Sequence, residues 1–269
     1  MSQVLALITS DAALVRCELD RVRPRFPFEA GSVVGVGGWQ DGQVVQRRYG
    51  LAAPSEEAWE APDSEVALLA SRALGVGQGM EDSAQPFRFR QWLFAGAGTL
   101  ERAEQVRERL REELPEFLSA AVRGPTWEEA AFARFLAELR DIGRIEDPQL
   151  DAATAASRLG SCAKAIEQVS AGAGVTTRPG FALVASNGRV LVATRRGGQG
   201  LSYALLEGRA ECARHELPAN ASDGEPLVRD HRRRRSVVVA SGVVAGDGWV
   251  ALPDGATLAV DRRLSVTIR

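Results

Sequence analysis

Short apolar runs bounded by turn residues fill the first third of the chain. Residues 2–9 form such a run and predict a buried strand. A polar stretch with helical character follows as far as Arg25. Apolar runs at residues 66–71 and 89–95 predict two further strands, and the glycine-rich residues 75–79 predict a turn between them.

Two dipeptides indicate tight hairpins. Asp41-Gly42 divides the apolar stretch of residues 32–48, and Asn187-Gly188 separates runs at residues 181–185 and 190–194. Asp-Gly and Asn-Gly suit two-residue hairpin turns because both tolerate a positive φ. Other apolar runs near the end of the sequence predict strands at residues 202–206, 236–241, 249–252 and 256–260.

The middle of the chain has a helical period instead. Residues 100–118 carry charges at helical spacing and predict one solvated helix. A second helix is predicted to begin after Thr126, with Thr126 as N-cap and Glu129 at the capping-box position. Residues 151–169 predict a third. Strands, then helices, then strands indicate an α+β fold with antiparallel sheets, and we expect residues 1–269 to form a single domain.

Composition excludes several classes of function. The net charge is -2, with 45% hydrophobic and 25% charged residues, as in ordinary globular proteins. No apolar run is long enough to cross a bilayer, and the start of the sequence has no secretory-signal pattern, so we expect a cytoplasmic protein without a membrane partner. The basic block His231 to Arg235 has no neighbouring aromatic residues to stack bases, so a solvated loop is favoured over a nucleic-acid site.

Cysteine and histidine are scarce. Cys17, Cys162 and Cys212 are far apart and odd in number, and the only histidines are His215 and His231. This pattern does not favour a disulfide framework, a zinc site or a histidine-based triad. We therefore predict no metal and no cofactor.

A glycine cluster at Gly35, Gly37 and Gly38 has two interpretations. Glycine-rich segments can cradle phosphate, but this one lies in a strand of a predicted hairpin and no helix follows it. Structural glycines are therefore favoured.

Several segments, taken in order, resemble the class II glutamine amidotransferases, similar to the small amidotransferase of ergothioneine biosynthesis. The family begins Met-Cys before an apolar strand, where this chain has Met1-Ser2, and its glycine-rich strand before an Asp-Gly hairpin resembles residues 33–42. The family segments His-x-Arg, Asn-x-His-Pro-Phe, His-Asn-Gly and Thr-Asp-Ser-Glu correspond to residues 70–72, 83–87, 96–98 and 126–129. The resemblance implies the N-terminal-nucleophile hydrolase fold, a four-layer α-β-β-α sandwich of two antiparallel sheets.

The residues that the resemblance would assign to glutamine hydrolysis are mostly replaced. Ser2 stands where the family has its nucleophilic cysteine. Ala97 replaces the asparagine that stabilises the oxyanion, between Gly96 and the retained Gly98, and Trp127 replaces the aspartate that holds the substrate amine. Serine can act as an N-terminal nucleophile, but losing one oxyanion donor costs about 3 kcal/mol of barrier. We predict vestigial catalytic positions, and for Trp127 we favour packing over ligand stacking.

Arg72 is the exception, since it corresponds to the family arginine that pairs with the substrate carboxylate. It is a candidate ligand-binding residue, and a structural salt bridge with Glu65 or Glu81 is an equally weighted alternative.

Three functions follow, in order of preference. The first is a catalytically inactive binding or scaffold subunit, with a protein partner such as an active enzyme or paralogue. The second is an amidohydrolase that uses Ser2 on another amide. The third is a carboxylate sensor that uses Arg72.

Overall fold

A computed structural model of the protein describes residues 2–28, 31–50, 56–73 and 84–269. The strands of these residues are β1 (Gln3–Thr9), β2 (Ser32–Gln40), β3 (Gln43–Gly50), β4 (Val66–Ala73), β5 (Phe87–Phe89), β6 (Trp92–Thr99), β7 (Gly180–Ser186), β8 (Leu191–Arg196), β9 (Leu201–Glu207), β10 (Arg235–Ser241), β11 (Trp249–Ala251), β12 (Thr257–Val260) and β13 (Val266–Ile268). The α-helices are α1 (Val15–Val22), α2 (Ala103–Glu112), α3 (Glu116–Ser119), α4 (Trp127–Asp141), α5 (Ala152–Gly172) and α6 (Pro226–Arg233).

The strands form two antiparallel sheets. One sheet has seven strands in the order β11-β9-β10-β1-β4-β2-β3, and the other has six in the order β13-β12-β8-β7-β6-β5. The first apolar run of the sequence becomes β1, which pairs with β10 on one side and β4 on the other. Six of its seven residues are buried, because the strand is covered on both faces.

Three apolar cores separate four layers. The first lies between α1 and the seven-stranded sheet, the second between the two sheets, and the third between the six-stranded sheet and helices α2, α4 and α5. The predicted α+β sandwich of two antiparallel sheets is confirmed. Within the described residues, no helix is both long and apolar enough to cross a membrane.

Both predicted hairpins are present. Asp41 and Gly42 join β2 to β3 with φ of 51° and 75°, the positive values that such a turn requires. Gly188 has a φ of 84° between β7 and β8. The side chain of Asn187 accepts hydrogen bonds from the main-chain N–H groups of Arg189 and Val190, at 3.0 and 3.1 Å.

Several predicted boundaries are wrong. Residues 89–95 were expected to be one strand, but β5 ends at Phe89 and a turn at Arg90, with a φ of 52°, leads into β6. Residues 100–118 hold two helices, α2 and α3, because Pro115 lacks an N–H and restricts the residue before it. Strand β13 was not predicted, and residues 75–79 lie outside the described residues.

The predicted capping box of α4 does not form. Thr126 has the extended backbone of an N-cap, yet its hydroxyl makes no capping hydrogen bond. The carboxylate of Glu129 instead accepts from the main-chain N–H groups of Arg123 and Gly124, at 3.2 and 2.6 Å. The glutamate therefore fixes the segment before the helix rather than the N-cap itself.

The glycines of β2 are structural, as the favoured interpretation predicted. A Cβ on Gly35 would lie 1.8 Å from the carbonyl oxygen of Gln85, and one on Gly37 would lie 2.7 Å from Leu93. A Cβ on Gly38 would lie 2.7 Å from Pro62. Neighbouring segments fill the space over this strand, so these side-chain positions offer no cradle for a phosphate.

The basic block is not the solvated loop that the sequence suggested. His231 lies in α6 and is fully buried, and Arg234 is buried immediately after the helix. The guanidinium of Arg234 forms an ion pair with the buried Glu18 at 2.5 Å. Burial, together with the charge of Arg234, lowers the pKa of His231 to about 4, so its imidazole is neutral at pH 7. Arg232, Arg233 and Arg235 are exposed.

Candidate functional site

Ser2 lies directly before β1, and its hydroxyl faces the end of β6. The main-chain N–H of Gly98 donates to Ser2 Oγ over 3.2 Å. Gly98 has a φ of 127°, and a Cβ there would lie 2.3 Å from the carbonyl oxygen of Gly180 on the paired strand β7. Only glycine therefore fits at this position, and its N–H is held towards the Ser2 side chain.

A small cavity adjoins Ser2. Its volume is about 200 Å³, and its lining residues are Ser2, Gln3, Gly98, Thr99, Gln199, Ser241 and Gly242. Pockets for small molecules usually measure about 300 to 1,000 Å³. Neither Arg72 nor Trp127 is among the described residues that line the cavity. The cavity therefore does not join the positions that would hold the two ends of an amino acid.

The position of the family's oxyanion-stabilising asparagine offers only a methyl group. Ala97 is fully buried and packs in the core between the two sheets. Its side chain has no hydrogen-bond donor, so of the two donors that the resemblance implies only the N–H of Gly98 is retained.

Arg72, on β4, forms an ion pair with Glu128, at the start of α4. Arg72 Nη1 lies 3.1 Å from Glu128 Oε2, and the two side chains are 22% and 2% exposed. The salt-bridge alternative predicted the right kind of contact but the wrong partner, because Glu65 pairs with Arg262 at 3.0 Å. Glu81 lies outside the described residues. The charge of Arg72 is thus matched within the protein.

Glu128 lies over β6, beside Gly96. A Cβ on Gly96 would lie 3.0 Å from Glu128 Cγ, so the absence of a side chain at Gly96 makes room for the glutamate. Burial raises the pKa of Glu128, and the positive charge of Arg72 opposes this rise. The main-chain N–H of Gly96 donates to Gln85 Oε1 over 2.6 Å. Gly96 therefore contributes space here, and its N–H is already bonded.

Trp127 belongs to the core on the helical side of the six-stranded sheet. It is 4% exposed, and its ring meets Phe181 of β7 edge-on at 5.7 Å. Its indole therefore contacts the interior and not the cavity at Ser2, which agrees with the packing interpretation.

The sequence interpretation missed Glu128 and Gln85. The family aspartate was matched to Trp127, and the next residue was treated only as part of a charged helix start. The rotation of α4 turns Trp127 into the core and Glu128 towards β4 and β6. The sequence did contain a signal for the ion pair. Glu128 directly follows Trp127, the position matched to the family aspartate, and the chain keeps Arg72.

No protein-family model matches the chain, and no curated protein matches it in sequence. Solved structures are similar over its whole length. A glutamine aminotransferase class-II domain protein from Silicibacter pomeroyi shares 18% identity with a TM-score of 0.60, covering 99% of this chain and 98% of that one. A predicted glutamine amidotransferase from Pseudomonas aeruginosa PA01 shares 14% identity with a TM-score of 0.57, covering 100% and 96%.

A third similar structure is the glutamine phosphoribosylpyrophosphate amidotransferase of B. subtilis. It shares 11% identity with a TM-score of 0.56, and the match covers 99% of this chain and 48% of that one. At these identities the likeness concerns the fold, and the specific similarity to the amidotransferase of ergothioneine biosynthesis stays a prediction. The chain has the fold of the class II glutamine amidotransferases.

Proposed function

We propose that this protein is a catalytically inactive amidotransferase-like protein that acts as a binding or scaffold subunit. Its partner would be another protein, such as an active enzyme subunit or a paralogue. The observation that carries the proposal is the ion pair between Arg72 and Glu128.

In the family that the chain resembles, the arginine at this position binds the substrate carboxylate. Here an internal carboxylate, that of Glu128, lies 3.1 Å from the guanidinium. To bind glutamine, Arg72 would have to release Glu128, leaving a buried charge without its partner, which costs several kcal/mol. The carboxylate of Glu128 would thus compete with the carboxylate of glutamine for Arg72.

The remaining positions support the same conclusion. Ala97 offers no second oxyanion donor, and Trp127 replaces a charge partner for the substrate amine with an indole that is already packed against Phe181. Together with serine in place of cysteine at Ser2, these replacements argue against hydrolysis of glutamine.

The alternative is an active amidohydrolase with Ser2 as nucleophile. The hydrogen bond from Gly98 to the Ser2 hydroxyl and the adjoining cavity favour it. The cavity would admit only a small amide. This mechanism also needs a free amine on Ser2 as its base, and therefore the removal of Met1.

The third candidate, a carboxylate sensor, depends on a free Arg72. The pairing with Glu128 weighs against it, because a ligand would have to displace a buried carboxylate.

Ammonia release from glutamine tests the main proposal. The purified protein is expected to release ammonia no faster than buffer, and the Ser2→Ala variant should behave identically. Replacing Ser10, which is exposed, with alanine provides the matched control. Turnover by the parent protein that Ser2→Ala abolishes and Ser10→Ala keeps would refute the proposal.

Intact-mass spectrometry of the same sample separates inactivity from incomplete processing. If Met1 has been removed and ammonia release is still absent, the lack of activity is a property of the site and is not caused by a blocked amine on Ser2. If Met1 is retained, the assay is repeated on protein whose N-terminal methionine has been removed with methionine aminopeptidase.

A further inference from the structure

Four side chains that bind transition metals converge near the end of β1 opposite to Ser2. Cys17 lies on α1, Cys212 and His215 lie in the segment between β9 and α6, and His231 lies on α6. One ligand atom from each residue can be chosen such that all four lie within 4.8 Å of one another. Two of the three cysteines that are far apart in the sequence, Cys17 and Cys212, are therefore neighbours in space.

Around one nitrogen, the two sulfur–nitrogen distances match a metal site, and the nitrogen–nitrogen distance is shorter than in one. His215 Nδ1 lies 2.9 Å from His231 Nε2, 3.5 Å from Cys17 Sγ and 3.6 Å from Cys212 Sγ. Ligands on a tetrahedral zinc ion, with Zn–S near 2.3 Å and Zn–N near 2.0 Å, are separated by about 3.5 Å for a sulfur–nitrogen pair and about 3.3 Å for two nitrogens.

Hydrogen bonding alone accounts poorly for this crowding. An unprotonated imidazole nitrogen has one lone pair and accepts one hydrogen bond, whereas His215 Nδ1 has three polar neighbours. If His231 Nε2 donates its proton to His215 Nδ1, that nitrogen can accept no hydrogen bond from the thiol of Cys17 or of Cys212. A cation at the centre would bind all four atoms at once.

We propose that Cys17, Cys212, His215 and His231 form a structural zinc site. Two thiolates and two imidazoles in a compact cluster are the donor set that favours tetrahedral zinc. Four protein ligands leave no position for substrate, so the ion serves the fold and not catalysis. On binding, the two thiols release their protons to solvent and their charges balance that of Zn²⁺.

The segment that supplies two of the ligands is long and has little regular structure, although its Arg214 forms ion pairs with Asp20 of α1 and with Glu60. Residues 208–225 join β9 to α6, with a single bridge between Cys212 and Leu217. The apolar cluster beside the cysteines consists of Leu14, Cys17 and Cys212, with Leu217 packed against them. Loops of this length without regular structure are uncommon in compact domains. A zinc ion would join this segment to α1 and α6 more firmly than the ion pairs of Arg214 with Asp20 and of Arg232 with Asp223 do alone.

One contact must change when the metal binds. Arg234 Nη1 lies 2.8 Å from His231 Nδ1, an arrangement in which the arginine donates to the ring. A neutral histidine that binds metal through Nε2 carries its proton on Nδ1, so Arg234 has to move away from that atom. The competing arrangement, a metal-free chain of hydrogen bonds from Arg234 through His231 to His215, predicts no metal at all.

Metal analysis of untagged, reduced protein distinguishes the two. We expect about one zinc ion per chain when the zinc content of the protein is measured by elemental mass spectrometry. The variant Cys212→Ser should lose it, as should His215→Ala, whose position is only partly buried and therefore tolerates substitution better. Cys162→Ala is the matched control, because Cys162 is a buried cysteine of the helical layer whose thiol donates a hydrogen bond to the carbonyl oxygen of Ala131. This variant should keep the metal.

The absorption spectrum of the cobalt(II)-substituted protein reports the geometry and type of the metal ligands. It is measured on the parent protein, so the result does not depend on whether a variant folds. Tetrahedral coordination should give intense visible absorption bands, and thiolate ligands should add a near-ultraviolet charge-transfer band. Removal of the metal with a chelator should lower the melting temperature of the parent protein and leave that of His215→Ala unchanged. The proposal is overturned if reduced parent protein, after reconstitution with zinc, holds no more metal than His215→Ala, or if its cobalt form lacks the charge-transfer band.

Discussion

Replacing Arg72 with methionine is expected to destabilise the protein by about 3 kcal/mol at pH 7, measured by urea unfolding. The variant keeps the Glu128 carboxylate buried but removes the guanidinium 3.1 Å away. Breaking a buried ion pair in this way costs about 3 to 5 kcal/mol, and the partial exposure of Arg72 places the expected loss at the lower end. Arg262→Met is the control, since Arg262 pairs with Glu65 on the surface and should cost less than about 1 kcal/mol.

The same variant should show a characteristic dependence on pH. Burial raises the pKa of Glu128 above its usual value of 4.5, and Arg72 opposes that rise, so removing Arg72 raises the pKa further. Between the pKa of Glu128 in the unfolded state and its higher pKa in the folded state, the folded state binds more protons. The stability of the variant therefore falls as the pH increases from the lower pKa through the higher one. The free-energy difference between parent and Arg72→Met should therefore be smaller at pH 5 than at pH 8.

A second substitution tests whether the pair itself is responsible. Arg72→Met combined with Glu128→Met removes both charges and keeps side chains of similar length, and we expect most of the lost stability to return, to within about 1 kcal/mol of the parent. If the double variant is as unstable as Arg72→Met alone, the loss comes from packing of the arginine stem and not from an unpaired carboxylate.

Local features were predictable from the sequence because they depend on neighbouring residues. Asp41-Gly42 and Asn187-Gly188 set their turns through their own backbone preferences, and the apolar residues of β1 form a buried strand. Pro115 indicates a helix boundary between α2 and α3. The continuous charge pattern of residues 100–118 nevertheless favoured the prediction of one helix.

The arrangement of the site depends on contacts that no local pattern contains. Cys17 and His215 are 198 positions apart, and they meet through tertiary contacts such as the pairing of β1 with β10 and the ion pair between Arg214 and Asp20 of α1. Arg72 and Glu128 are 56 positions apart and meet because α4 turns one face to the core and another to the end of β4. Residue types and alignment therefore identified Arg72 as important without identifying what it binds.

Trp127→Ala is expected to cost about 3 to 5 kcal/mol of stability in the same urea measurement. The indole is 4% exposed and packs edge-on against Phe181, so its removal leaves a cavity in the core beneath the six-stranded sheet. Phe117→Ala is the matched control, because that ring is 50% exposed and contacts the Arg140 guanidinium at the surface. Its loss should stay below about 1 kcal/mol.

The Trp127 result also bears on the proposed loss of function. Since Arg72 is still paired with Glu128 in Trp127→Ala, glutamine should not raise the melting temperature of this variant. A small loss of stability, together with a glutamine-dependent rise in the melting temperature of Trp127→Ala, would contradict the packing role. It would also show that the indole alone closes a pocket whose other groups still bind the amino acid, and inactivity would then depend on Trp127 rather than on the ion pair between Arg72 and Glu128.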